Sequence, residues 1–196
     1  MKAFITADMP VSDELLNAIA HLPTKSLSKV VEDGFFKKLT DREFMRLAFL
    51  LAYKGYEEGG SPIGGVIVDN ESRKILGKGH NTLVQEGHPY NHGETSAARD
   101  AGRQDFSKTT MFTSLSPCGI CAALISQLQF QRLVIGDITN FGGNEEMLRQ
   151  KGVLVDILEI PEGVAFFKKY LGEKPDQHRE DAGGVAAVRK ARAGQR

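Results

Sequence analysis

His92-Gly93-Glu94 and, beginning 25 positions after His92, Pro117-Cys118-Gly119-Ile120-Cys121 are the two strings whose reading decides the rest of the chain. Two cysteines three apart on a helix share a face, so both sulfurs can reach one ion. A histidine from a neighbouring element adds a third ligand. Three protein ligands with one open position describe a catalytic zinc, one Zn2+ per chain, rather than a structural one. A zinc of that kind lowers the pKa of water from about 15.7 to about 7. Glu94 is then the candidate to carry protons between water and substrate. Positions i and i+2 diverge on a regular helix, so His92 and Glu94 can serve one pocket only where the chain is entering a helix. The loop before them, with Pro89 and Asn91, permits that. Cys118-x-x-Cys121 alone also fits a thioredoxin-like redox pair. Redox chemistry, however, has no use for a distant His-x-Glu.

Outward from these strings the chain alternates strands and helices. Thr40-Asp41-Arg42-Glu43 fits a capping box, and Phe44, Leu47, Ala48 and Leu51 carry the apolar face of a helix ending near Gly59-Gly60. Ile63 to Val68 and Ile75 to Lys78 read as a hairpin. Residues 81–91 read as a loop, with His80 and His88 as loop or surface residues, and a helix begins near His92. Thr110 to Leu115 is a predicted strand, followed by a helix with Pro117 in its first turn. Val134-Ile135 and Val153 to Leu158 are further strands. Helices are predicted over Glu145 to Gln150 and Pro161 to Tyr170, and Pro175 opens a last short segment. This alternation predicts an α/β fold, a sheet covered by helices on both faces.

The predicted organisation is an N-terminal extension over residues 1–39, with Leu15, Leu16 and Ile19 on one side of a short helix and Phe35, Phe36 and Leu39 docking on the main domain. A main domain over 40–182 and a flexible basic tail over 183–196 follow. Lys plus Arg and Asp plus Glu are both 25, which leaves no field to draw in a polyanion. The tail holds Arg189, Lys190, Arg192 and Arg196 and no acid, so the body is mildly acidic and nucleic acid is not the expected partner. Two cysteines make no disulfide framework. Met1 to Pro10 does not read as a signal peptide, and no apolar run approaches the roughly 18 residues a membrane span needs. The expected location is the cytoplasm.

Residues 40–182 resemble the fungal-type cytosine deaminases of the zinc-dependent cytidine deaminase-like superfamily. The resemblance is carried by Lys54-Gly55-Tyr56-Glu57-Glu58-Gly59-Gly60, Pro62-Ile63-Gly64-Gly65, Gly79-His80-Asn81, the two metal strings with Leu115-Ser116, Asn140-Phe141, Glu173-Lys174-Pro175 and Glu180-Asp181. The motif H-x-E…P-C-x-x-C is the known signature of zinc nucleobase deaminases. The resemblance implies a three-layer α/β/α sandwich with a mixed five-stranded sheet, a homodimer, and hydrolytic release of ammonia from a free base in pyrimidine salvage. It implies His92, Cys118 and Cys121 as zinc ligands and Glu94 as proton shuttle. It also implies Asn81 and the Gly93 N–H as donors to the ring's carbonyl edge, and the Ser116 carbonyl and Asp181 carboxylate as acceptors for the amine. Phe141, Ile63 and Leu115 line the pocket. His178-Arg179 stands where the fungal enzymes carry Trp-Phe, and Ala182 where they carry Ile. His178 is therefore expected in a lid that leaves the pocket more polar and roomier.

The leading reading is a zinc hydrolase acting on cytosine or a related small amino-heterocycle. Isocytosine, creatinine, guanine or another purine, or a triazine are rival rings. A nucleoside or tRNA adenosine is a bulkier alternative, and a catalytically silent zinc scaffold a remote one.

Overall fold

The computed structural model describes residues 5–194; residues 1–4, within the stretch read for a signal peptide, and 195–196, at the end of the basic tail, lie outside it. Five strands form one mixed sheet: β1 (Gly64–Asp69), β2 (Ile75–His80), β3 (Thr109–Thr113), β4 (Arg132–Ile135) and β5 (Leu154–Ile157). Their order is β2-β1-β3-β4-β5. β1 runs antiparallel to β2 and β3, while β3, β4 and β5 are mutually parallel.

Side chains alternate across each strand with a period of two, and the two faces feed separate cores. Val66, Val68, Phe112 and Val134 point into the layer of α1 (Asp13–His21), α2 (Thr24–Val30), α3 (Phe35–Lys38) and α4 (Asp41–Glu57). Ile67, Met111, Leu133 and Ile135 point into the layer of α6 (Gly93–Ala101), α7 (Gly119–Gln127) and α8 (Glu145–Gln150). Burial on both faces is why the central strands read as continuous apolar runs. The expected three-layer sandwich is what the chain forms. No helix among the described residues is long and apolar enough to cross a membrane.

Local chemistry accounts for the element ends. Thr40 caps α4: its side chain accepts from the Glu43 N–H, and the Glu43 carboxylate accepts from the Thr40 N–H at 2.6 Å. Ser12 caps α1 by accepting from the Leu15 N–H. Three expectations need correction. Residues 81–91 include a one-turn helix, α5 (Leu83–Glu86), closed by Gly87 at φ 64°. Pro117 stands before α7 rather than in its first turn, because Cys118 is the N-cap. The segment after α9 (Pro161–Glu173) is also not short, since α10 (Pro175–Ala193) follows it.

α10 breaks at Gly184, whose φ of 71° only glycine adopts readily. Arg192 lies 2.9 Å from Asp176. Sixteen residues of straight helix would separate them by about 24 Å, so the chain reverses at Gly184. Where a flexible tail was expected, the second limb folds back and buries Val188.

The segment before α4 shares one core with the sheet: Leu16, Ile19 and Phe35 are fully buried in the cluster that holds Phe44 and Phe112. Leu16→Ala should therefore lower the stability of the whole domain by about 2–5 kcal/mol. Denaturant unfolding followed by circular dichroism checks this. An unchanged main transition would mean that the extension melts independently.

Candidate metal centre and active site

The sheet brings two helix starts together. His92 is the N-cap of α6, in extended conformation at φ −80° and ψ 171°. Its backbone N–H donates to Thr95 Oγ1 at 2.9 Å. The chain turns helical only after His92, so His92 and Glu94 can both face inward. Gly93 sits between them because a Cβ there would lie 2.8 Å from the Ile63 carbonyl oxygen, and a Cβ on Gly65 would lie 2.9 Å from the Gly93 carbonyl oxygen. Two glycines thus let α6 rest directly on the start of β1. Cys118 is the N-cap of α7, and Cys121 lies in its first turn.

The three ligand atoms converge. His92 Nδ1 is 3.3 Å from Cys118 Sγ and 3.5 Å from Cys121 Sγ, and all three atoms lie within 4.8 Å of one another. Bond lengths of about 2.3 Å to sulfur and 2.0 Å to nitrogen put the edge of a zinc tetrahedron at about 3.5 Å, so the spacing fits. The protonation pattern fits as well. The Cys118 thiol is drawn down to about 4, first by a hydrogen bond with Cys121 and also by His92. That same bond pushes Cys121 up. Burial opposes charge on His92, yet Cys118 and Asp181 outweigh it and raise the ring to about 9. Three groups, two of them buried and Cys118 partly so, compete for protons that one divalent cation would replace.

The next layer orients these groups. His92 Nε2 is buried with no hydrogen-bond partner and lies 3.7 Å from Asp181 Oδ1. With Nδ1 turned to the sulfurs, Nε2 carries the proton and faces a carboxylate, the usual support of a metal-bound imidazole. Glu94 is 2% exposed. Its carboxyl is pushed up to about 7 by burial first and by the neighbouring Cys118. Thr113 Oγ1 lies 3.1 Å from Glu94 Oε1 and 2.9 Å from the Leu115 carbonyl, so its single proton serves one or the other.

The cavity above the ligands is lined by His92, Glu94, Cys118, Ser116, Leu115, Ile63, Phe141, His178, Asp181 and Ala182. Asn81 is fully buried, and its Nδ2 donates to Asp181, 100 residues away. Its Oδ1 accepts from the Leu83 N–H at 3.0 Å. Asn81 and Asp181, expected to grip opposite edges of a substrate, here grip each other. Burial pushes Asp181 up to about 6, with His92 and Asn81 pulling the other way. Ser116 donates its N–H to Asp137 and its hydroxyl to Glu145, leaving its carbonyl for the role expected of it.

The cavity holds about 20 Å3, and the His178 ring in its wall packs edge-on against Phe141 at 5.8 Å and Phe167 at 5.5 Å. His80 is no loop residue: it is buried in β2 with Nε2 3.3 Å from Glu58.

Sequence reasoning missed Thr113 and Phe167. Phe167 was within reach, since Gly163, Phe167 and Tyr170 form the buried stripe of α9 at helical spacing. Thr113 had no local signal.

A single-metal centre of one imidazole and two thiolates, with a buried carboxylate beside it, defines the class: a zinc site built for hydrolysis. Residues 38–137 match the family described as the cytidine and deoxycytidylate deaminase zinc-binding region. The chain belongs to that family. A cytosine deaminase of Candida albicans is 38% identical over 146 residues, covering 73% of this chain and 97% of the relative. A tRNA-specific adenosine deaminase of Buchnera aphidicola is 35% identical, covering 51% of this chain and 68% of the relative. Among solved structures, a guanine deaminase from Nitrosomonas europaea shares the fold at TM-score 0.61 and 17% identity, covering 68% of this chain and 85% of its own.

Cys121→Ala should reduce zinc from about one ion per chain to a small fraction, read by atomic emission after dialysis. Thr113→Val should keep the zinc and lower kcat about tenfold with little change in KM, the loss expected when a hydrogen bond to a charged group is removed.

Proposed function

We propose that the chain hydrolyses the exocyclic amine of a small free heterocycle, cytosine or a close relative, releasing ammonia. The observation that carries this reading is that Glu94, buried beside the three ligands, and Asp181 line one cavity. When bound, zinc makes water acidic enough to ionise near neutral pH. Every other task falls to side chains of this chain. Glu94 Oε1 takes the two protons of the attacking water one at a time, passing the first to the ring nitrogen and the second to the departing amine. Burial and the Cys118 thiolate hold its pKa near 7, and a cation held by the three ligands would favour its ionised form. Asp181 can only accept hydrogen bonds while ionised, so it favours an amino group over an oxo group. Asn81 turns its amide from Asp181 to the ring's carbonyl edge when the base enters, joined by the Gly93 N–H. Phe141 and Ile63 face the ring.

A free base is favoured over a polymer because Asp181, His178 and Ala182 all sit on α10, which closes the cavity. The likeness to tRNA-specific adenosine deaminases supports a second reading, deamination within RNA. The balanced charge of the chain speaks against it.

We also place the protein in the cytoplasm, whose reducing conditions keep two thiolates available as ligands, and in pyrimidine salvage if cytosine is its substrate. A homodimer is part of this proposal. α7 is apolar nearly all round: Cys121, Ala122 and Ile125 face inward, yet Ile120 and Leu128 are exposed. A helix of that kind calls for cover on both sides.

Glu94→Ala should retain zinc and lose turnover by about 100-fold or more. Ammonia release should be measured with zinc-loaded protein across cytosine, isocytosine, creatinine, guanine and an aminotriazine. With His178 in the wall, cytosine should not lead by more than about 100-fold in kcat/KM, a ratio near the limit of what pocket contacts alone provide. Activity confined to tRNA, with none on free bases, would favour the second reading.

A further inference from the structure

A second concavity, of about 500 Å3, lies along the outer edge of β2, away from the metal centre. One wall is the turn between α1 and α2, from Ala20 to Lys25. The others come from α4, the end of β2 and α6. The family match begins at residue 38, so the first wall lies outside it.

Four cations line this groove, Lys25, Lys54, Lys78 and Arg99, against a single carboxylate, Asp100. Lys54 has Glu58 at 3.6 Å and Arg99 has Glu86 at 3.5 Å. Asp100 is already engaged, accepting from the Thr24 hydroxyl and from the Lys78 backbone N–H at 3.0 Å. Lys25 and Lys78 make no ion pair among the described residues.

Lys78 is the unusual one. Its ammonium is half-buried and donates to the Ala20 carbonyl at 2.8 Å, near the C-terminus of α1. That contact uses one of three N–H donors. Burial draws its pKa down to about 8 while Asp100 resists. Partly buried charge is costly; Asp100 offsets only part of that cost, and an anion in the groove would offset more of it. The two unused N–H groups of Lys78, with Lys54 beside it and an exposed Lys25 at the mouth, form a donor set for an oxyanion.

We infer that this groove binds a phosphate monoester, either inorganic phosphate or the phosphate of a small molecule such as a nucleoside monophosphate. The volume admits the larger ligand. The site is independent of the deaminase reading. It does border it: His80 and Thr82 flank Asn81 in the chain, and α6 carries both Ser96 and the His92–Glu94 turn.

Calorimetric titration of the zinc-loaded full chain at low salt, with inorganic phosphate, AMP and adenosine, tests this. Phosphate and AMP should bind saturably and compete, and adenosine should not bind. Tighter binding of AMP would identify a nucleotide as the source, and equal binding the free ion. Lys78→Met should weaken AMP at least tenfold, and Lys54→Ala and Lys25→Ala each a few-fold, all with zinc content unchanged. Should Lys78→Met not fold, the other two variants carry the test. The inference is overturned by absence of saturable binding at about 10 mM phosphate or AMP, far above useful affinity. Variants that bind like the parent overturn it too, as does tight binding of tRNA that AMP fails to compete.

Discussion

The site depends on one close approach. α6 must lie against the first residues of β1 so that the extended residue before it, His92, projects towards the first turn of α7. Glycine at 65 and 93 makes that approach possible, since a side-chain carbon at either would lie within 3 Å of backbone oxygen. From that contact follow the 3.3 and 3.5 Å spacings between imidazole and sulfurs and the inward aim of Glu94. The sheet's mixed topology serves the same end. β1 delivers the Gly65 contact, and the adjacent β3 leads through Leu115 and Ser116 to the cysteines.

A second arrangement closes the cavity from the other side. Asp181, on the first limb of α10, touches two functional groups at once: Asn81 by hydrogen bond and His92 across 3.7 Å. The lid, the floor and the imidazole are therefore linked through one buried carboxylate. On the proposed function, a substrate that takes the Asn81 amide breaks this link and leaves Asp181 to accept from its amine. His178 adds a neutral ring whose pKa is lowered by burial and by Arg179, with a buried Nδ1 that has no partner. An imidazole in that wall offers a polar edge where the fungal pattern has an indole.

Much of this could be read in the sequence because its causes are local. Capping at Thr40, the period of two in the strands and the spacing of the metal strings each act over a few residues. The α8 helix, Glu145–Gln150, falls where its residues predict it. What could not be read depends on distant partners. The fold-back of α10 needs Asp176 to meet Arg192, so a tail of small and basic residues looked unstructured. The Asn81–Asp181 bond spans 100 residues, and the packing of His178 on Phe141 and Phe167 joins residues 11 and more apart in the chain. His80 looked like a loop residue because nothing nearby announces that Gly55 leaves room for its ring, where a Cβ would lie 3.1 Å from His80 Nδ1.

The central claim is that one imidazole and two thiolates hold a single zinc with a fourth position open to water. X-ray absorption at the zinc edge of the purified protein tests it most directly. The expected first shell has about two sulfurs near 2.3 Å and about two nitrogen or oxygen atoms near 2.0 Å. A shell of four sulfurs, or one with no sulfur at all, would contradict the account.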